Sequence, residues 1–211
     1  MQKILPMFVL IATHNRNSLL ERTIESLNGC ILPEHRSVKL IVVENGGRYG
    51  AEDVVRRNQS NLDPEYRYFE MGNKSAALNF VISSLPDSII IFLDDDVRVE
   101  PSFLVHYSRA IGSKTGGFFF GGGLLVDYEL SPPKWLIDFL PISAQGWHPK
   151  EHAPMGDLYF FGANWAAFTH DILMLDGFDL NYGPGGLSGG TGQETAMQKK
   201  FIKNNIKYIY I

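Results

Sequence analysis

Short apolar runs alternate with amphipathic stretches through the first half of the chain. The runs have the length and composition of buried strands and lie at residues 7–12, 39–43, 66–69 and 89–93. Helical spacing of apolar residues follows the first three runs, at 18–27, 51–59 and 75–85. Strand and helix in regular alternation predict an α/β fold with a Rossmann-like, mostly parallel central sheet flanked by helices.

The first predicted helix carries a recognisable start signal. Ser18 followed by Glu21 has the spacing of a capping box, and Leu20, Ile24 and Leu27 then fall on one helical face. The pattern therefore predicts that this helix begins at Ser18.

The pattern changes after Pro101. A helix is predicted at 102–111, a strand weakened by glycines at 118–126, a helix at 194–204 and a last strand at 207–211. The irregular segment 128–157 is rich in Pro, Trp and His, and the segment 183–192 is rich in glycine. Long irregular segments in a compact domain are often functional, so 128–157 is a candidate lid and 183–192 a second mobile loop; plain surface loops are the alternative.

Composition narrows the class of protein. A chain of 211 residues with 45% hydrophobic content is long enough for one sizeable core. The net charge of -4 and the absence of a basic run argue against a protein that binds nucleic acid by its backbone. A single cysteine, Cys30, excludes an intramolecular disulfide and favours a reducing compartment. No apolar run approaches the ~20 residues that a membrane-spanning helix needs, which leaves docking on a membrane surface open.

Three consecutive aspartates carry the clearest chemical signal. Asp94, Asp95 and Asp96 directly follow the apolar run 89–93, so they emerge where a buried strand ends. Ligands bind at the carboxyl ends of the strands in open α/β sheets, and clustered carboxylates favour a divalent cation with oxygen ligands. The triplet thus predicts a metal-assisted phosphate or diphosphate site, with a solvated acidic turn as the alternative.

Seven short motifs together resemble family 2 glycosyltransferases. In chain order they are ATHNR at 12–16, ENG at 44–46, GNKSAALN at 72–79, DDD at 94–96, FGAN at 161–164, GFD at 177–179 and GQET at 192–195. Their joint order and spacing, over about residues 7 to 205, is similar to that of nucleotide-sugar glycosyltransferases of the GT-A fold. The resemblance implies a single GT-A domain, with residues 1–100 binding the nucleotide and 101–211 binding the acceptor.

The resemblance also implies the residues of a donor site. The residues expected to contact the donor nucleotide are Thr13, Asn15, Arg16, Glu44, Asn45, Lys74, Asp94 and Asp95. Backbone N–H groups and a guanidinium at the first strand-to-helix turn suit a base edge or a phosphate. The alternatives are helix capping by Asn15 or Asn17 and an exposed surface position for Lys74.

The metal ligand and the general base follow from the same resemblance. Asp96 is expected to hold Mg or Mn, since both prefer oxygen ligands. Glu194 takes the position of the carboxylate that removes the proton from the acceptor hydroxyl, whereas Gln193 replaces the acid that usually precedes it. A base at a helix N-terminus needs its pKa held up by partial burial, and simple complementation of the helix dipole is the alternative.

Three residues are expected on the acceptor and sugar side. Asn164 and Trp165 follow small residues that would let a sugar approach the backbone, and Trp165 would stack on a pyranose ring. Asp179 is an acceptor contact or a second candidate base. A core position for Trp165 and a turn at Asp179 are the alternatives.

The sequence therefore predicts an inverting, metal-dependent transfer of a sugar from a nucleotide-diphosphate donor to a glycan or other hydroxyl acceptor, in polysaccharide or surface-glycan synthesis. A nucleotidyltransferase and a catalytically inactive nucleotide- or glycan-binding module remain the alternatives. The expected location is the cytoplasm, with the inner face of the membrane as an option. Similar enzymes continue past the strand predicted at 207–211, so we expect this sequence to be part of a longer protein.

Overall fold

The computed structural model describes residues 4–148 and 159–211. Its strands are β1 (Met7–Thr13), β2 (Val38–Asn45), β3 (Glu65–Phe69), β4 (Ile89–Leu93), β5 (Phe118–Gly121), β6 (Trp165–Phe168) and β7 (Lys207–Tyr210). Its helices are α1 (Asn17–Asn28), α2 (Ala51–Arg57), α3 (Lys74–Ile82), α4 (Phe103–Ile111), α5 (Lys134–Ile137), α6 (Ile142–Gln145), α7 (Thr169–Met174) and α8 (Gln193–Lys203).

All seven of these strands belong to one sheet, in the order β3-β2-β1-β4-β6-β5-β7. The pairs β1–β2, β1–β4, β2–β3 and β5–β7 are parallel, and only β6 runs antiparallel to its neighbours β4 and β5. The expectation of a mostly parallel sheet flanked by helices is confirmed. Strands from both halves of the chain share the sheet.

The strand order reverses between β1 and β4. From β1 the chain moves outward to β2 and β3, then returns to β4 on the other side of β1. A reversal of this kind leaves a crevice at the carboxyl ends of the two strands, where ligands bind in open α/β sheets. The first predicted donor residues and the aspartate triplet both follow these strands, so the topology brings them together.

Helices cover both faces of the sheet, each over its own apolar cluster. On one face, α1, α2 and α4 bury residues such as Leu20, Val54 and Leu104 against alternate side chains of the strands. On the other face, α3 and α8 contribute Val81 and Phe201, among others. The apolar positions on both faces explain why the strands read as continuous apolar runs in the sequence.

The predicted elements are present, with shifts of a few residues at their ends. The capping box is wrong: α1 begins at Asn17 after Arg16, and no side chain caps it. The predicted strand 118–126 ends at Gly121, because the backbone then pairs as an isolated bridge between Leu124 and Trp147. The sequence pattern missed β6 and α7, which have only four and six residues and are too short to show a clear period.

Within the part of the chain that the structure describes, no helix is long and apolar enough to cross a membrane.

Candidate active site

The three aspartates after β4 separate into two environments. Asp94 and Asp96 both line a large cleft, whereas Asp95 is not among the described residues that line it and is only 3% exposed. β4 ends at Leu93, and Asp95 and Asp96 lie in the turn that follows, which leaves the first and third carboxylates on the cleft. The triplet therefore offers two carboxylates to a ligand.

Each cleft-facing aspartate is paired with a cationic side chain. Lys74 Nζ donates to Asp94 Oδ1 at 2.5 Å, and Arg16 Nη2 donates to Asp96 Oδ2 at 2.6 Å. Arg16 also donates through Nη1 to Asp95 Oδ1 at 2.9 Å, so one guanidinium holds two carboxylates. These cations relieve the repulsion that adjacent carboxylates would otherwise suffer.

Asp95 has a structural position beneath the site. Thr13, at the end of β1, donates its hydroxyl to Asp95 Oδ2 at 2.7 Å, and both residues are buried. Burial raises the pKa of the Asp95 carboxyl, while the bond from Thr13 and the charge of Arg16 oppose that rise. Thr13 and Asp95 thus tie β1 to the end of β4, and neither lines the cleft in the described part of the chain.

The predicted contact of Glu44 with the donor nucleotide is not supported. The Glu44 side chain is 0% exposed, and its Oε1 accepts hydrogen bonds from the backbone N–H groups of Tyr49 and Ala51. Its Oε2 accepts a bond from the Tyr66 hydroxyl at 2.7 Å, and burial and this carboxylate raise the pKa of Tyr66. Glu44 therefore anchors the loop between β2 and α2, because its oxygens already have protein partners.

Asn45 and Asn15 both contribute to backbone geometry at the same edge. The Asn45 side chain is 6% exposed and donates to the Thr13 carbonyl at 3.0 Å, while its own carbonyl is bonded to His14 Nδ1 at 2.7 Å. Asn15 is exposed and has a φ of 54°, in the left-handed region. Neither is among the described residues that line the cleft.

The cleft has a volume of about 1040 Å³, enough for a sugar nucleotide. Residues from several elements line it, including Lys74, Asp94, Asp96, Gly162, Asn164 and Glu194. Carboxylates from the end of β4 thus share one cavity with the carboxylate at the start of α8. The structure brings together the predicted metal ligand Asp96, the predicted donor-nucleotide contact Lys74 and the predicted base Glu194.

Glu194 is the second residue of α8 and lies half-buried against Gly162. A Cβ atom at Gly162 would lie 3.3 Å from Glu194 Cδ, so the absent side chain leaves the carboxylate its space. Burial raises the pKa of the Glu194 carboxyl, and the nearby charge of Asp94 adds to the rise. Hydrogen bonds from the backbone and the charge of Lys74 oppose it. A carboxylate with a raised pKa is better suited to accept a proton from a hydroxyl.

Asn164 lies on the cleft wall with both ends of its amide engaged. Oδ1 accepts a bond from the Tyr107 hydroxyl at 2.8 Å, and Nδ2 donates to the Gly123 carbonyl at 3.1 Å. Tyr107 is completely buried, which raises its pKa well above the ordinary value. Asn164 therefore connects α4 to the chain that leaves β5.

The prediction that Trp165 stacks on a sugar is wrong. Its side chain is 1% exposed and stacks on Phe92, with ring centroids 4.5 Å apart. The ring has no face left for a ligand, because it fills the core between β4, β6 and α8.

Asp179 caps a turn and does not line the cleft in the described residues. Its Oδ1 accepts bonds from the backbone N–H and the side-chain amide of Asn181 at 2.9 and 2.8 Å. The turn that was the alternative at Asp179 is present, and the contact of this carboxylate with an acceptor stays a prediction.

The candidate lid is described up to residue 148, and residues 149–157 of the prediction lie outside the described residues. Leu124 and Trp147 exchange two backbone hydrogen bonds of 2.7 Å, which close the segment between them into a loop. Within that loop, Leu130 and Phe139 expose 89% and 79% of their surface. Glu129 lines the cleft, so the loop forms part of its rim.

The sequence analysis missed two amides that organise the site. Gln198 is fully buried on α8, where its side chain bonds both the N–H and the carbonyl of Phe160, at 2.8 and 3.0 Å. Asn73, just before α3, bonds to a distant loop. An asparagine before a predicted helix is a capping signal, but nothing in the sequence identifies its partners across the fold.

The two cleft-facing aspartates have the donor chemistry of a magnesium or manganese site. Among residues 4–148 and 159–211, no group of three or more His, Cys, Asp or Glu side chains could hold a metal ion by itself. Cations bound to nucleotides commonly use one or two carboxylates together with phosphate oxygens. Asp94 and Asp96 fit that pattern, because both reach the same cleft from one strand end.

The comparisons with known proteins agree with this architecture. An open, mostly parallel sheet with an acidic cleft at its switch point is typical of the GT-A class of nucleotide-sugar transferases. The sequence profile described as Glycosyl transferase family 2 matches residues 8–136. This match covers more than half of the chain, which therefore belongs to glycosyl transferase family 2. No curated protein sequence matches the chain.

Solved structures share the fold at low sequence identity. A mannosyltransferase, PcManGT, from Pyrobaculum calidifontis, in complex with GDP-Man and Mn2+, is 16% identical with a TM-score of 0.69, over 99% of this chain and 55% of that one. TarS 1-349 from S. aureus, in complex with UDP-GlcNAc, is 13% identical with a TM-score of 0.69, over 98% and 58%. GalNAc-T7 with UDP, GalNAc and Mn2+ is 15% identical with a TM-score of 0.69, over 100% and 43%. The chain spans about half the length of these structures.

Proposed function

We propose that this chain is an inverting, metal-dependent glycosyltransferase that moves a sugar from a nucleotide-diphosphate donor to a hydroxyl acceptor. The observation that carries the proposal is the shared cleft, in which Glu194 lies with its pKa raised by burial beside Asp94 and Asp96. Family membership and neighbours solved with GDP-Man or UDP-GlcNAc support the donor class.

The proposed reaction is a single displacement. The acceptor hydroxyl oxygen attacks the anomeric carbon while Glu194 takes its proton, and the bond from that carbon to the diphosphate oxygen breaks. The nucleoside diphosphate leaves with the bonding electron pair. One attack from the face opposite the leaving group inverts the anomeric configuration, and this inversion is what a single base implies.

The donor side of the cleft supplies charge. Asp96, with Asp94, would hold a divalent cation, which when bound to the donor stabilises the negative charge on the departing diphosphate. Lys74 and Arg16 each lie within hydrogen-bond distance of one of these carboxylates. Both cations are therefore placed to bind phosphate oxygens once the carboxylates have another partner.

Calorimetry with UDP, GDP, dTDP and CDP, each with and without Mn2+, tests the donor site. We expect one nucleotide to bind in a Mn2+-dependent way, and Asp96→Asn to abolish that dependence. Asp53→Asn on α2, where the side chain is exposed, is the matched control and should bind like the wild type. A folded protein that binds none of the four would contradict the proposal.

Turnover separates an enzyme from an inactive binding module. The sugar nucleotide that corresponds to the binding nucleotide is incubated with the wild type, and release of the nucleoside diphosphate is followed with water as the acceptor. Slow release by the wild type supports the transferase. Metal-dependent binding without any release, with or without added sugar acceptors, supports the inactive module, since the carboxylates would then serve binding alone.

We propose a cytoplasmic location, with docking on the inner face of the membrane as its refinement. The support for docking is the exposed apolar surface of Leu130, Trp135 and Phe139, at 89%, 69% and 79%. Co-sedimentation with vesicles of neutral and anionic lipid tests it, comparing the wild type with a Trp135→Ser, Phe139→Ser double variant. Equal amounts of both proteins in the supernatant would contradict docking.

A further inference from the structure

The glycine-rich loop 180–192 is fastened to the start of α3. Three consecutive residues at that helix start donate hydrogen bonds to carbonyl groups of the loop. Asn73 Nδ2 donates to Leu180 at 3.0 Å and to Gly185 at 3.2 Å, the Lys74 N–H to Pro184 at 3.0 Å, and Ser75 Oγ to Tyr182 at 2.8 Å. The loop is therefore held at four carbonyls by three neighbouring residues.

The side-chain amide of Asn73 caps α3 with its oxygen and binds the loop with its nitrogen. Its side-chain oxygen accepts a bond from the Ala76 N–H at 2.9 Å, which caps α3, while its nitrogen uses its two hydrogens on the loop. The residue is 2% exposed, so water does not replace these bonds easily. An aspartate or a serine would keep the cap and lose both bonds to the loop.

The loop and the helix start approach each other backbone to backbone. Gly185 has a φ of +75°, and a Cβ atom there would fall 1.7 Å from the Gly72 carbonyl oxygen. Only glycine fits such an approach, because any side chain would overlap the opposing backbone. The contact is therefore close packing of two main chains.

The fastened loop leads directly to the proposed base. It ends at Gly192, which precedes α8, and Glu194 is the second residue of that helix. Pro184, Thr191 and Gly192 all line the cleft. At the other end of the connection, Lys74 holds Pro184 with its N–H and Asp94 with its Nζ.

We propose that Asn73 is a positioning residue for the transfer reaction: by holding loop 180–192 on the start of α3, it fixes Glu194 in the cleft that it shares with Asp94 and Asp96. This inference rests on the proposed function. Asn73 touches no reacting atom and acts through the loop. A misplacement of about 1 Å in a catalytic group can lower a rate by roughly 100-fold, so the hold on the loop matters for the chemical step.

Hydrogen exchange measures, without any substrate, how strongly Asn73 restrains loop 180–192. In Asn73→Asp and Asn73→Ser, we expect the amides of residues 182–192 and of Lys74 to exchange roughly tenfold faster or more, since two buried hydrogen bonds are lost. The amides of Ala76 and Ala77 should stay protected, because both variants keep the helix cap. Asn58→Asp, at the end of α2, is the control for an asparagine substitution elsewhere.

Kinetic measurements then test whether this restraint of the loop affects the reaction step that needs Glu194. The probes are UDP-glucose, UDP-N-acetylglucosamine and GDP-mannose with Mn2+, and the signal is release of the nucleoside diphosphate. We expect kcat to fall about 10- to 100-fold in both Asn73 variants, while the Kd of the matching nucleoside diphosphate changes less than about threefold. Asn58→Asp should match the wild type.

The outcomes distinguish the two proposals. Unchanged exchange in 182–192, or faster exchange with an unchanged kcat, overturns the positioning role while leaving the transferase intact. An equal loss of nucleotide affinity and kcat also overturns it, because the variants would then act on the donor site as a whole. A wild type that releases nucleotide from none of the probes contradicts the proposed function, and the positioning role with it.

Discussion

The two walls of the cleft are held in different ways. On and beneath the donor wall, Thr13, Arg16 and Lys74 bind the three aspartates that follow β4, and the strands beneath them are buried. On the opposite wall, the loop closed by Leu124 and Trp147 exposes several large apolar side chains. The donor wall is therefore fixed by its own hydrogen bonds and ion pairs, whereas the loop has apolar surface with no protein cover in the described residues.

This difference indicates which part of the cleft can recognise the donor and which part can recognise the acceptor. A nucleotide diphosphate presents the same charges to every donor site, so short charged motifs at strand ends can recognise it. Acceptors differ in shape, and loops without motifs adapt to shape. Glu194 lines the same cleft as residues of both walls, which makes it the most sensitive place to test the comparison.

The largest effect is expected for Glu194→Gln. The amide keeps the shape of the side chain but cannot take the acceptor proton, so the rate of transfer should fall about 10²- to 10⁴-fold. Release of the nucleoside diphosphate from the matching sugar nucleotide measures it, and binding of the diphosphate should be retained. Glu25→Gln, exposed on α1, is the control. A fall of less than about threefold would show that Glu194 is not the base.

Substitution of a buried and of an exposed tryptophan compares how much each part of the molecule contributes to the free energy of unfolding. Trp165→Ala should lower the free energy of unfolding by about 3–5 kcal/mol, because the ring fills the core. Trp135→Ala, at a ring 69% exposed, should change it by less than ~0.5 kcal/mol. Urea denaturation of both variants gives the difference. Equal losses would mean that the exposed loop packs more tightly in solution than the structure shows.

The same contrast explains what the sequence could predict. The strands, the helices and the position of Asp94 to Asp96 follow from local pattern, because apolar runs and strand ends are local features. The different environments of the three aspartates do not follow from that pattern, because Asp95 and Asp96 lie in a turn beyond the strand. The burial of Glu44 and Trp165 does not follow, because it depends on which distant groups the fold brings against them.

The pH dependence of the reaction is a further test of Glu194. Burial raises the pKa of Glu194, so the acid limb of kcat/KM should lie above the ordinary glutamate value of 4.5, with about a tenfold fall per pH unit below it. The limb should be absent from the residual activity of Glu194→Gln. A limb at or below 4.5 in the wild type would contradict the raised pKa as a property of the base.

The raised pKa of Glu194 also predicts the direction in which stability changes with pH. Because the pKa of Glu194 is raised in the folded state, folding favours the protonated carboxyl. The protonated carboxyl therefore contributes to the free energy of unfolding. This contribution is fully present below the unfolded pKa and is lost as the pH rises through the folded pKa. Relative to Glu194→Gln, the wild type should therefore lose stability as pH rises through that window. Urea denaturation of both proteins at several pH values measures the difference. The opposite slope would mean that the ionised form is favoured in the fold.

The smallest effect concerns Asn15, a predicted donor contact whose backbone lies in the left-handed region at a φ of 54°. If the residue is needed only for this conformation, Asn15→Gly should bind the nucleoside diphosphate like the wild type and change stability by a few tenths of a kcal/mol. Asn15→Ala should lose about 1 kcal/mol, because a Cβ without a polar group disfavours that conformation. If the side chain contacts the donor, both variants should lose affinity equally despite their different stabilities. Calorimetry and urea denaturation of the pair therefore decide whether the first strand-to-helix turn recognises the donor through its backbone or through this amide.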